Sequence, residues 1–324
     1  MASEISRVGI LGLGAWGQAI ALHCAGKGLA VTAWGRNAKA GPTLTISGKD
    51  FDRPPTLVIT SELSQLSGMD LLIVSLPARA WSEVLPGISA TAIASATKGL
   101  EPSSGLTPLS YLREELGFTD ESLCVVSGPS FAADLAAGRP LSLVSASSSP
   151  TTANAVASIF SSSTVRVYTS SDALGVEIGG IFKNVIAIAA GISDALELGP
   201  SARAGIISRG LAEMVRLAVA MGADPRTLTG LSGLGDLIMT ATENQSRNRT
   251  VGLRLGKGES IAEIVGSLGA VAEGVSTAPL ILALAKKFTV DTPITEQISG
   301  IVSGALSAKQ VASNLMNRPR KSEF

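Results

Sequence analysis

The sequence contains few of the side chains that usually carry metal or disulfide chemistry. Its 324 residues include one histidine, His23, and two cysteines, Cys24 and Cys124. Both cysteines lie in apolar contexts, and neither belongs to a motif with the spacing of metal ligands. We therefore expect no metal site and no disulfide framework, as is typical of a protein from the reducing, cytoplasmic compartment.

An excess of either charge is also missing, because 26 Lys and Arg residues balance 26 Asp and Glu residues. A neutral chain gives no reason to expect a nucleic acid or a membrane surface as partner, so any anion must be bound by a local cluster. The first ten residues lack the basic and apolar regions of a secretory signal. The longest apolar stretch, 173–192, contains Glu177, Lys183 and Asn184, so we expect no stable membrane insertion.

Short apolar runs alternate with helical patterns over the first half of the chain. Several runs are continuously apolar, as expected for strands that are covered on both faces. The alternation predicts an α/β domain with a Rossmann-type, doubly wound and mostly parallel sheet. The predicted strands are 7–12, 29–35, 56–60, 70–77, 91–97, 122–128, 141–146 and 165–169.

After about residue 172 the strand-like runs end and helical periodicity takes over. A chain of this length favours two domains over a single core. We therefore predict a dinucleotide-binding domain over 1–175 and an all-helical substrate domain over 176–324. Thr292 before Pro293 predicts an N-cap and a helix start. Within 206–221 the predicted buried stripe is Ile207, Leu211, Met214, Val215 and Ala218, with Arg209, Glu213 and Arg216 off it.

A GxGxxG motif, formed by Gly12, Gly14 and Gly17, directly follows the first predicted strand. Such a motif allows a tight turn, a close approach of backbone to a pyrophosphate, and close packing of helix on strand. The phosphate then lies at the positive end of the helix. The motif alone is weak, but its position at the start of an alternating β/α domain predicts a dinucleotide site.

The end of the second predicted strand bears on which dinucleotide is bound. An acidic residue there commonly binds the ribose hydroxyl of NAD, but this strand ends in Trp34, Gly35, Arg36 and Asn37. Arg36 could pair with a 2′-phosphate, or it could be a solvated loop residue. The missing carboxylate favours the first alternative, and we predict NADP(H) as the cofactor, with NAD(H) as a second one.

The stretch GGIFKNVIAIAAG places Lys183 and Asn184 inside an apolar helical pattern. The neighbours of Lys183 on the same face are glycine and alanine, so either a backbone or a ligand approaches closely, or the lysine extends to solvent. Hydride transfer to a carbonyl carbon requires a proton donor for the oxygen. His23 lies on the first helix and is interpreted as structural. A buried lysine, whose pKa burial can lower by roughly 3–5 units, is the natural substitute.

Three further segments carry polar groups at positions suited to ligand binding. Lys98 follows the fifth predicted strand, and Gly128 and Ser130 follow the sixth, at the carboxyl edge where open α/β sheets bind ligands. In the helical half, GLGD is followed by NQSRNR, which concentrates two guanidinium groups, a hydroxyl and three amides. This second cluster is suited to a small phosphate, although a polar exposed loop is the alternative when it is considered alone.

These motifs together resemble the NAD(P)-dependent glycerol-3-phosphate dehydrogenases of bacteria. The resemblance runs to about Ile298 and includes GLGAWG, ATKGLE, SGPSFA, GGIFKNVIAI, RGLAEM, GLGDL, NQSRNR, VAEG and PITE in the family's order. It implies reversible reduction of dihydroxyacetone phosphate to sn-glycerol 3-phosphate, which supplies glycerophospholipid synthesis. A phosphorylated small molecule is thus the expected partner. The oligomeric state is not determined by the sequence, and a homodimer is the assembly considered.

The resemblance also implies roles for individual residues, with Lys183 as the proton-transfer residue. Positions that match substrate contacts are Lys98, Gly128, Ser130, Lys183, Asp236, Ser246, Arg247 and Asn248, with Arg247 at the phosphate. Positions that match the cofactor site are Gly12, Gly14, Trp16, Gly17, Arg36, Lys98, Ala132, Arg247, Val271 and Glu273. Asn184 is placed as a ligand contact or an orienting residue.

Two other functions fit part of the pattern. A β-hydroxyacid dehydrogenase would also carry a Lys-Asn pair on an equivalent helix, but its substrate bears a carboxylate, and NQSRNR argues for a phosphate. A nucleotide sensor without catalytic activity would keep only the dinucleotide-binding half. Turnover assays distinguish these alternatives from a dehydrogenase.

Overall fold

The computed structural model describes residues 5–268, 272–319 and 322. The chain divides into two compact units, an N-terminal unit of Met1–Glu177 and a C-terminal unit of Ile178–Phe324. In the described residues, every strand lies in the N-terminal unit, and the C-terminal unit contains helices only. The predicted fold class, a Rossmann-type sheet followed by a helical half, is therefore confirmed.

The N-terminal unit is built on an eight-stranded sheet with the order β10-β9-β8-β7-β6-β1-β2-β5. All neighbours are parallel except β8 and β9, which pair antiparallel. The strand order reverses between β1 and β6, which is where doubly wound sheets bind ligands at the carboxyl edge. The bounds are β1 (Arg7–Leu11), β2 (Ala30–Trp34), β3 (Thr43–Ile46), β4 (Lys49–Asp52), β5 (Leu57–Thr60), β6 (Met69–Val74), β7 (Ala90–Ser95), β8 (Leu123–Ser127), β9 (Leu141–Ala146) and β10 (Val165–Ser170).

Helices cover this sheet and close its core. Fully buried Val8 and Ile10 of β1 belong to one apolar cluster with Ile20 of the first helix and Phe160 of the fifth. Burial on both faces explains why these strands are apolar without alternation. The helices are α1 (Ala15–Gly26), α2 (Trp81–Val84), α3 (Pro108–Glu114), α4 (Ala132–Ala136), α5 (Pro150–Phe160) and the first residues of α6 (Ala173–Ala195).

All eight predicted strands are present, but the antiparallel hairpin of β3 and β4 was not predicted. Ser47 and Gly48 link its strands with positive φ angles of 51° and 79°, as two-residue hairpin turns require. Leu44 and Ile46 point into the core, while β4 is largely exposed. Two apolar residues in four give too short an alternation to identify a strand from sequence.

The C-terminal unit consists of α6 from Ile178 onward and eight further helices in the described residues. Helix α6 is long and apolar enough to cross a membrane, but most of its apolar window is buried inside the fold, which is the property of a core helix. The other helices are α7 (Pro200–Ala220), α8 (Pro225–Leu228), α9 (Asp236–Thr242), α10 (Arg247–Gly256), α11 (Ile261–Ser267), α12 (Glu273–Lys287), α13 (Pro293–Val302) and α14 (Ala308–Met316).

The predicted stripe on α7 is partly wrong. Met214 and Ala218 are buried as predicted, whereas Leu211 and Val215 are only half-buried. Glu213, predicted to lie off the stripe, is 1% exposed. Burial of a charged side chain is costly unless hydrogen bonds compensate for the lost hydration. Glu213 has such hydrogen bonds.

The bonds of Glu213 also correct the predicted cap of α13. The helix begins at Pro293 as predicted, but the Thr292 side chain makes no capping hydrogen bond. Instead, the Glu213 carboxylate accepts hydrogen bonds from the backbone N–H groups of Ile294 and Thr295 at 2.6 and 3.1 Å. A distant carboxylate thus occupies the place of the local cap, because it meets the same unsatisfied N–H groups.

Candidate functional site

The glycine turn between β1 and α1 is shaped by contacts that exclude side chains. Gly12 has a φ of +111°, and a Cβ on Gly17 would lie 1.8 Å from the Gly12 carbonyl oxygen. By contrast, a Cβ on Gly14 would meet nothing within 4 Å. Gly14 is the N-cap of α1, without a side-chain cap, and the first turn carries no acidic residue. Free N–H groups and open space at a helix N-terminus fit the pyrophosphate of a dinucleotide.

Two other predicted cofactor positions lie on helices that pack together. Trp16 is in the first turn of α1, and Ala132 is the first residue of α4. Helices α1 and α4 contact each other, and both residues are partly buried against the core of the N-terminal unit. The structure therefore brings Trp16 and Ala132 to neighbouring elements near the glycine turn.

Arg36 lies just beyond the carboxyl end of β2, where a residue that reads the adenosine ribose is expected. Its guanidinium is already paired, because Nη2 donates to Glu83 Oε2 at 2.7 Å. The side chains of Arg36 and Glu83 are 61% and 67% exposed. Because exposed ion pairs contribute little free energy, an incoming phosphate can compete for this guanidinium.

Lys98, Gly128 and Ser130 are brought together at the carboxyl edge of the sheet. Lys98 Nζ donates to the Gly128 carbonyl oxygen at 3.3 Å, and Ser130 Oγ donates to the same oxygen at 3.1 Å. Gly128 has a φ of +139°, and a Cβ there would lie 2.8 Å from the Ser142 carbonyl oxygen. Only glycine fits this turn, which places a lysine and a hydroxyl next to one backbone group.

Lys183 of α6 is buried in the C-terminal unit and is not extended to solvent. Its side chain is 7% exposed, and Nζ donates to Asp236 Oδ1 at 2.5 Å and to Thr240 Oγ1 at 2.9 Å. Asp236 Oδ1 also accepts from Thr240 Oγ1 at 3.3 Å. The carboxylate favours the ammonium form of the lysine, which is the form that can donate a proton.

The glycines that flank Lys183 along α6 allow other backbones to approach closely. A Cβ on Gly179 would lie 2.7 Å from the Ser232 carbonyl oxygen, and one on Gly191 would lie 2.2 Å from the Arg249 carbonyl oxygen. Ser232 belongs to a π-helical turn, Leu231–Gly235, that directly precedes Asp236. The predicted close approach of a backbone is confirmed, and at Gly179 it brings in the segment that carries the lysine's partner.

Asn184 and Asn248 form a buried chain of hydrogen bonds beside Lys183. Asn248 Nδ2 donates to Asn184 Oδ1 at 2.9 Å, and the Gly274 N–H donates to Asn248 Oδ1 at 2.9 Å. Asn248 thus links α6 to the first turn of α12, which begins at Glu273, a predicted cofactor position. This geometry is that of an orienting pair. Val271, the other predicted cofactor position in this segment, lies outside the described residues.

Ser246 and Arg247 begin α10. Ser246 is its N-cap, and its Oγ accepts from the Arg249 N–H at 3.2 Å. Arg247 is exposed, and its side chain makes no hydrogen bond or ion pair with another residue of the described chain. A helix N-terminus with a hydroxyl and an available guanidinium is suited to a phosphate.

Sequence reasoning missed Thr240, Asp194 and Glu83. Thr240 lies four residues after Asp236, one helical turn along the same face, so the spacing contained a usable signal. Asp194 accepts hydrogen bonds from Arg249 and Arg203, and Glu83 pairs with Arg36. The Asp194–Arg249 and Glu83–Arg36 contacts join residues that are 55 and 47 positions apart. No local sequence pattern indicates them.

His23, the single histidine, has a structural contact. Its Nε2 lies 2.8 Å from the Phe160 carbonyl oxygen, and burial lowers its pKa. In the described residues, no three or more His, Cys, Asp and Glu side chains form a group that could hold a metal ion.

Comparison with known proteins relates these clusters to a family. Residues 7–153 match the sequence model of the NAD-dependent glycerol-3-phosphate dehydrogenase N-terminus, and residues 172–313 match that of the C-terminus. A glycerol-3-phosphate dehydrogenase [NAD(P)+] of Thioalkalivibrio sulfidiphilus is 42% identical, over 98% of each chain. That of Hydrogenovibrio crunogenus is 40% identical, over 100% of this chain and 98% of the relative.

A solved structure gives the same result. The crystal structure of glycerol-3-phosphate dehydrogenase (gpsA) from Coxiella burnetii superimposes with a TM-score of 0.91 and 36% identity, over 97% of this chain and 99% of that one. The yeast enzyme GPD1, at 22% identity and a TM-score of 0.77, shares the fold. With both family segments matched in order along one chain, this protein belongs to the NAD-dependent glycerol-3-phosphate dehydrogenase family.

Proposed function

We propose that this protein catalyses the reversible, NAD(P)H-dependent reduction of dihydroxyacetone phosphate to sn-glycerol 3-phosphate. The observation that carries the mechanism is the buried side chain of Lys183, whose Nζ lies 2.5 Å from Asp236 Oδ1. Membership of the family supports the reaction, and the product is a precursor of glycerophospholipids. Supplying their synthesis is the role we propose for it.

Lys183 is the proposed general acid in the direction of reduction. When bound, NAD(P)H supplies a hydride to C2 of the substrate. The carbonyl oxygen then gains a negative charge, and Lys183 Nζ donates a proton to it, which leaves an alcohol and a neutral amine. In the oxidation direction the neutral amine accepts the hydroxyl proton. Asp236 and Thr240 hold the lysine nitrogen in place, and this fixed geometry reduces the reorganisation needed at each step.

The substrate phosphate is the proposed ligand of the α10 N-terminus. Arg247 would bind it with parallel hydrogen bonds, and the Ser246 hydroxyl would donate a further one. We retain Lys98, Gly128, Ser130, Asp236 and Asn248 as predicted substrate contacts. For Asn248 we propose an orienting role as well, since both ends of its amide are already hydrogen-bonded.

The cofactor is proposed to bind the N-terminal unit, as the open space at Gly14 and the uncapped start of α1 support. Gly12, Gly14, Trp16 and Gly17 would hold the pyrophosphate side. The further predicted contacts are Ala132, Lys98, Arg247, Val271 and Glu273. Arg36 would bind a 2′-phosphate after leaving Glu83, so we propose a preference for NADPH over NADH.

We also propose that residues 1–175 bind the dinucleotide and that residues 176–324 carry the substrate chemistry. We further propose that the protein acts in the cytoplasm as a homodimer. Light scattering coupled to size-exclusion chromatography tests the assembly, and a monomer mass would refute that part.

The reaction is tested by following oxidation of NADPH after dihydroxyacetone phosphate is added, and then by repeating the assay with NADH. We expect rapid turnover that depends on the phosphorylated substrate, and higher kcat/KM with NADPH. A protein that binds NADPH but oxidises none of it would refute the proposed reaction and leave a nucleotide sensor. Turnover of a β-hydroxyacid in place of the phosphate ester would instead support the related dehydrogenase.

A further inference from the structure

The two arginines at the start of α10 have opposite surroundings. Arg247 is exposed, while Arg249, two residues later, is 8% exposed. Arg249 Nη2 donates to Asp194 Oδ2 at 2.6 Å, and its Nη1 donates to Asn244 Oδ1 at 2.7 Å. Arg249 therefore stabilises the segment 244–249 by a hydrogen bond within it, to Asn244, and links it to α6 by a hydrogen bond to Asp194.

Asp194 is shared by two guanidinium groups. In addition to Arg249, it accepts from Arg203 Nη1 of α7, at 2.9 Å to Oδ1 and 3.1 Å to Oδ2. The Asp194 side chain is 13% exposed, so water screens these contacts only in part. One carboxylate thus joins α6, α7 and the start of α10.

Direct backbone packing makes this connection stiff. A Cβ on Gly252 of α10 would lie 2.0 Å from the Ile188 carbonyl oxygen of α6, and a Cβ on Gly191 of α6 would lie 2.2 Å from the Arg249 carbonyl oxygen. No side chain separates the two helices at these points. These contacts hold α10 from Arg249 onward, so the residues before Arg249 depend on side-chain hydrogen bonds for their position.

Helix α6 carries both Lys183 and the anchors of the α10 N-terminus. Asp194 follows Lys183 by 11 residues (194 − 183), or about three turns, so the two share roughly one face. Asn184, next to Lys183, bonds Asn248. The separation between the proton donor and the segment 246–248 is therefore set by a single helix.

We infer that Asp194, acting through Arg249, is a positioning residue for the phosphate of the substrate, which rests on the function proposed above. Its carboxylate fixes the turn that presents Ser246 and Arg247 to the phosphate, so its main effect is on substrate binding. Arg203 also binds the Asp194 carboxylate. It contributes less to the positioning than Arg249, because its side chain is more exposed. The inference assigns Asp194 no contact with substrate.

The test is Asp194→Asn in the full-length protein, compared with wild type on two substrates. The amide keeps the shape but cannot balance two guanidinium groups, so the buried Arg249 charge loses its partner. We expect the KM for dihydroxyacetone phosphate to rise at least tenfold, with kcat within threefold. Turnover of unphosphorylated dihydroxyacetone, measured at high protein and substrate concentrations, should keep its kcat/KM within twofold.

Asp224→Asn is the matched control, since Asp224 also pairs with an arginine, but its partner Arg226 is 90% exposed and the pair lies outside the proposed site. It should leave the kinetics with both substrates unchanged. Asn244→Ala removes the other anchor of Arg249 at an exposed residue, so the fold should persist even where Asp194→Asn unfolds. For this variant we expect about a threefold rise in KM for the phosphorylated substrate alone.

The outcomes separate this inference from the proposed reaction. Equal losses on both substrates, or an unchanged KM in both Asp194→Asn and Asn244→Ala, would overturn the positioning role. A wild-type protein without activity on dihydroxyacetone phosphate would instead refute the reaction itself. A loss confined to the phosphorylated substrate supports the inference.

Discussion

The glycine turn of the N-terminal unit and the lysine cluster of the C-terminal unit bind charge in opposite ways. The turn offers no side chain, and its α1 N-terminus is left without a cap. The cluster is made of side chains that are already paired, with Lys183 against Asp236 and Thr240. The turn can therefore accept an anion on its backbone N–H groups, whereas the cluster holds a lysine against a carboxylate inside the fold.

This difference determines how each site tolerates substitution. A turn made of backbone is sensitive to added atoms, because a Cβ on Gly17 would overlap a carbonyl oxygen. A cluster of buried charges is sensitive to removed atoms, because the partner that remains is left buried and unpaired. The first site depends on shape and the second on charge balance.

The strongest test of the charge-based side is Lys183→Ala. Removal of the proposed proton donor should lower kcat by roughly 10²–10⁴-fold, the usual contribution of general acid catalysis. Because the glycine turn is untouched, the Kd for NADPH should stay within about twofold, as measured by fluorescence titration. A kcat near that of wild type would show that the proton comes from another group.

The shape-based side is tested by Gly17→Ala. The added methyl group would lie 1.8 Å from the Gly12 carbonyl oxygen, so the turn must shift and the cofactor site changes shape. We expect the Kd for NADPH to rise about 5- to 150-fold, since overpacking usually costs about 1–3 kcal/mol. Gly26→Ala is the matched control, because a Cβ near the end of α1 meets nothing within 4 Å.

The glycine turn and the strands could be predicted from sequence because their causes are local. Gly12, Gly14 and Gly17 lie within six residues, and burial on both faces leaves each strand apolar along its own length. The sequence likewise indicates Lys183, because it is a charged residue among small and apolar ones. It does not indicate the contacts of Lys183 with Asp236 and Thr240, because they depend on how α6 and α9 meet, 53 and 57 residues apart.

Glu213 shows the same limit in the helical unit. A local rule predicted Thr292 as the cap of α13, whereas a carboxylate 81 residues away accepts the N–H bonds. The arginine pairings follow this pattern too, since Arg36 and Arg249 were both identified as anion-binding candidates. The structure separates them from Arg247, because each already has a carboxylate partner.

Glu213, a buried carboxylate that makes no ion pair with any described residue, sharpens the contrast with Asp236. Burial raises the pKa of Glu213 to about 7, although hydrogen bonds from Ile294 and Thr295 oppose the shift. The folded protein therefore binds this proton more tightly than the unfolded chain, and stability falls as pH rises. Between pH 5 and pH 7 this group should lower the free energy of unfolding by about 2 kcal/mol.

Glu213→Gln removes that titration but keeps only one acceptor oxygen, so one of the two N–H groups loses its hydrogen bond and stability should be lower at every pH. Urea unfolding at several pH values should show a flatter profile than wild type between pH 5 and pH 7. Parallel profiles for the two proteins would mean that Glu213 does not take up a proton in this range. The kinetics at pH 7 should change little, because Glu213 lies outside the proposed active site.

The smallest expected effects concern Arg36, a charged side chain that adds to the backbone-based recognition proposed at the glycine turn. Arg36→Ala should raise the Kd for NADPH about tenfold and leave that for NADH unchanged, since only a 2′-phosphate needs the guanidinium. Glu83→Gln should act in the opposite direction. With the competing carboxylate removed, NADPH should bind up to about threefold more tightly, which is the size expected for an exposed ion pair. If Arg36→Ala changes the Kd for NADPH and the Kd for NADH equally, this end of the site, like the glycine turn, recognises the cofactor by shape and not by charge.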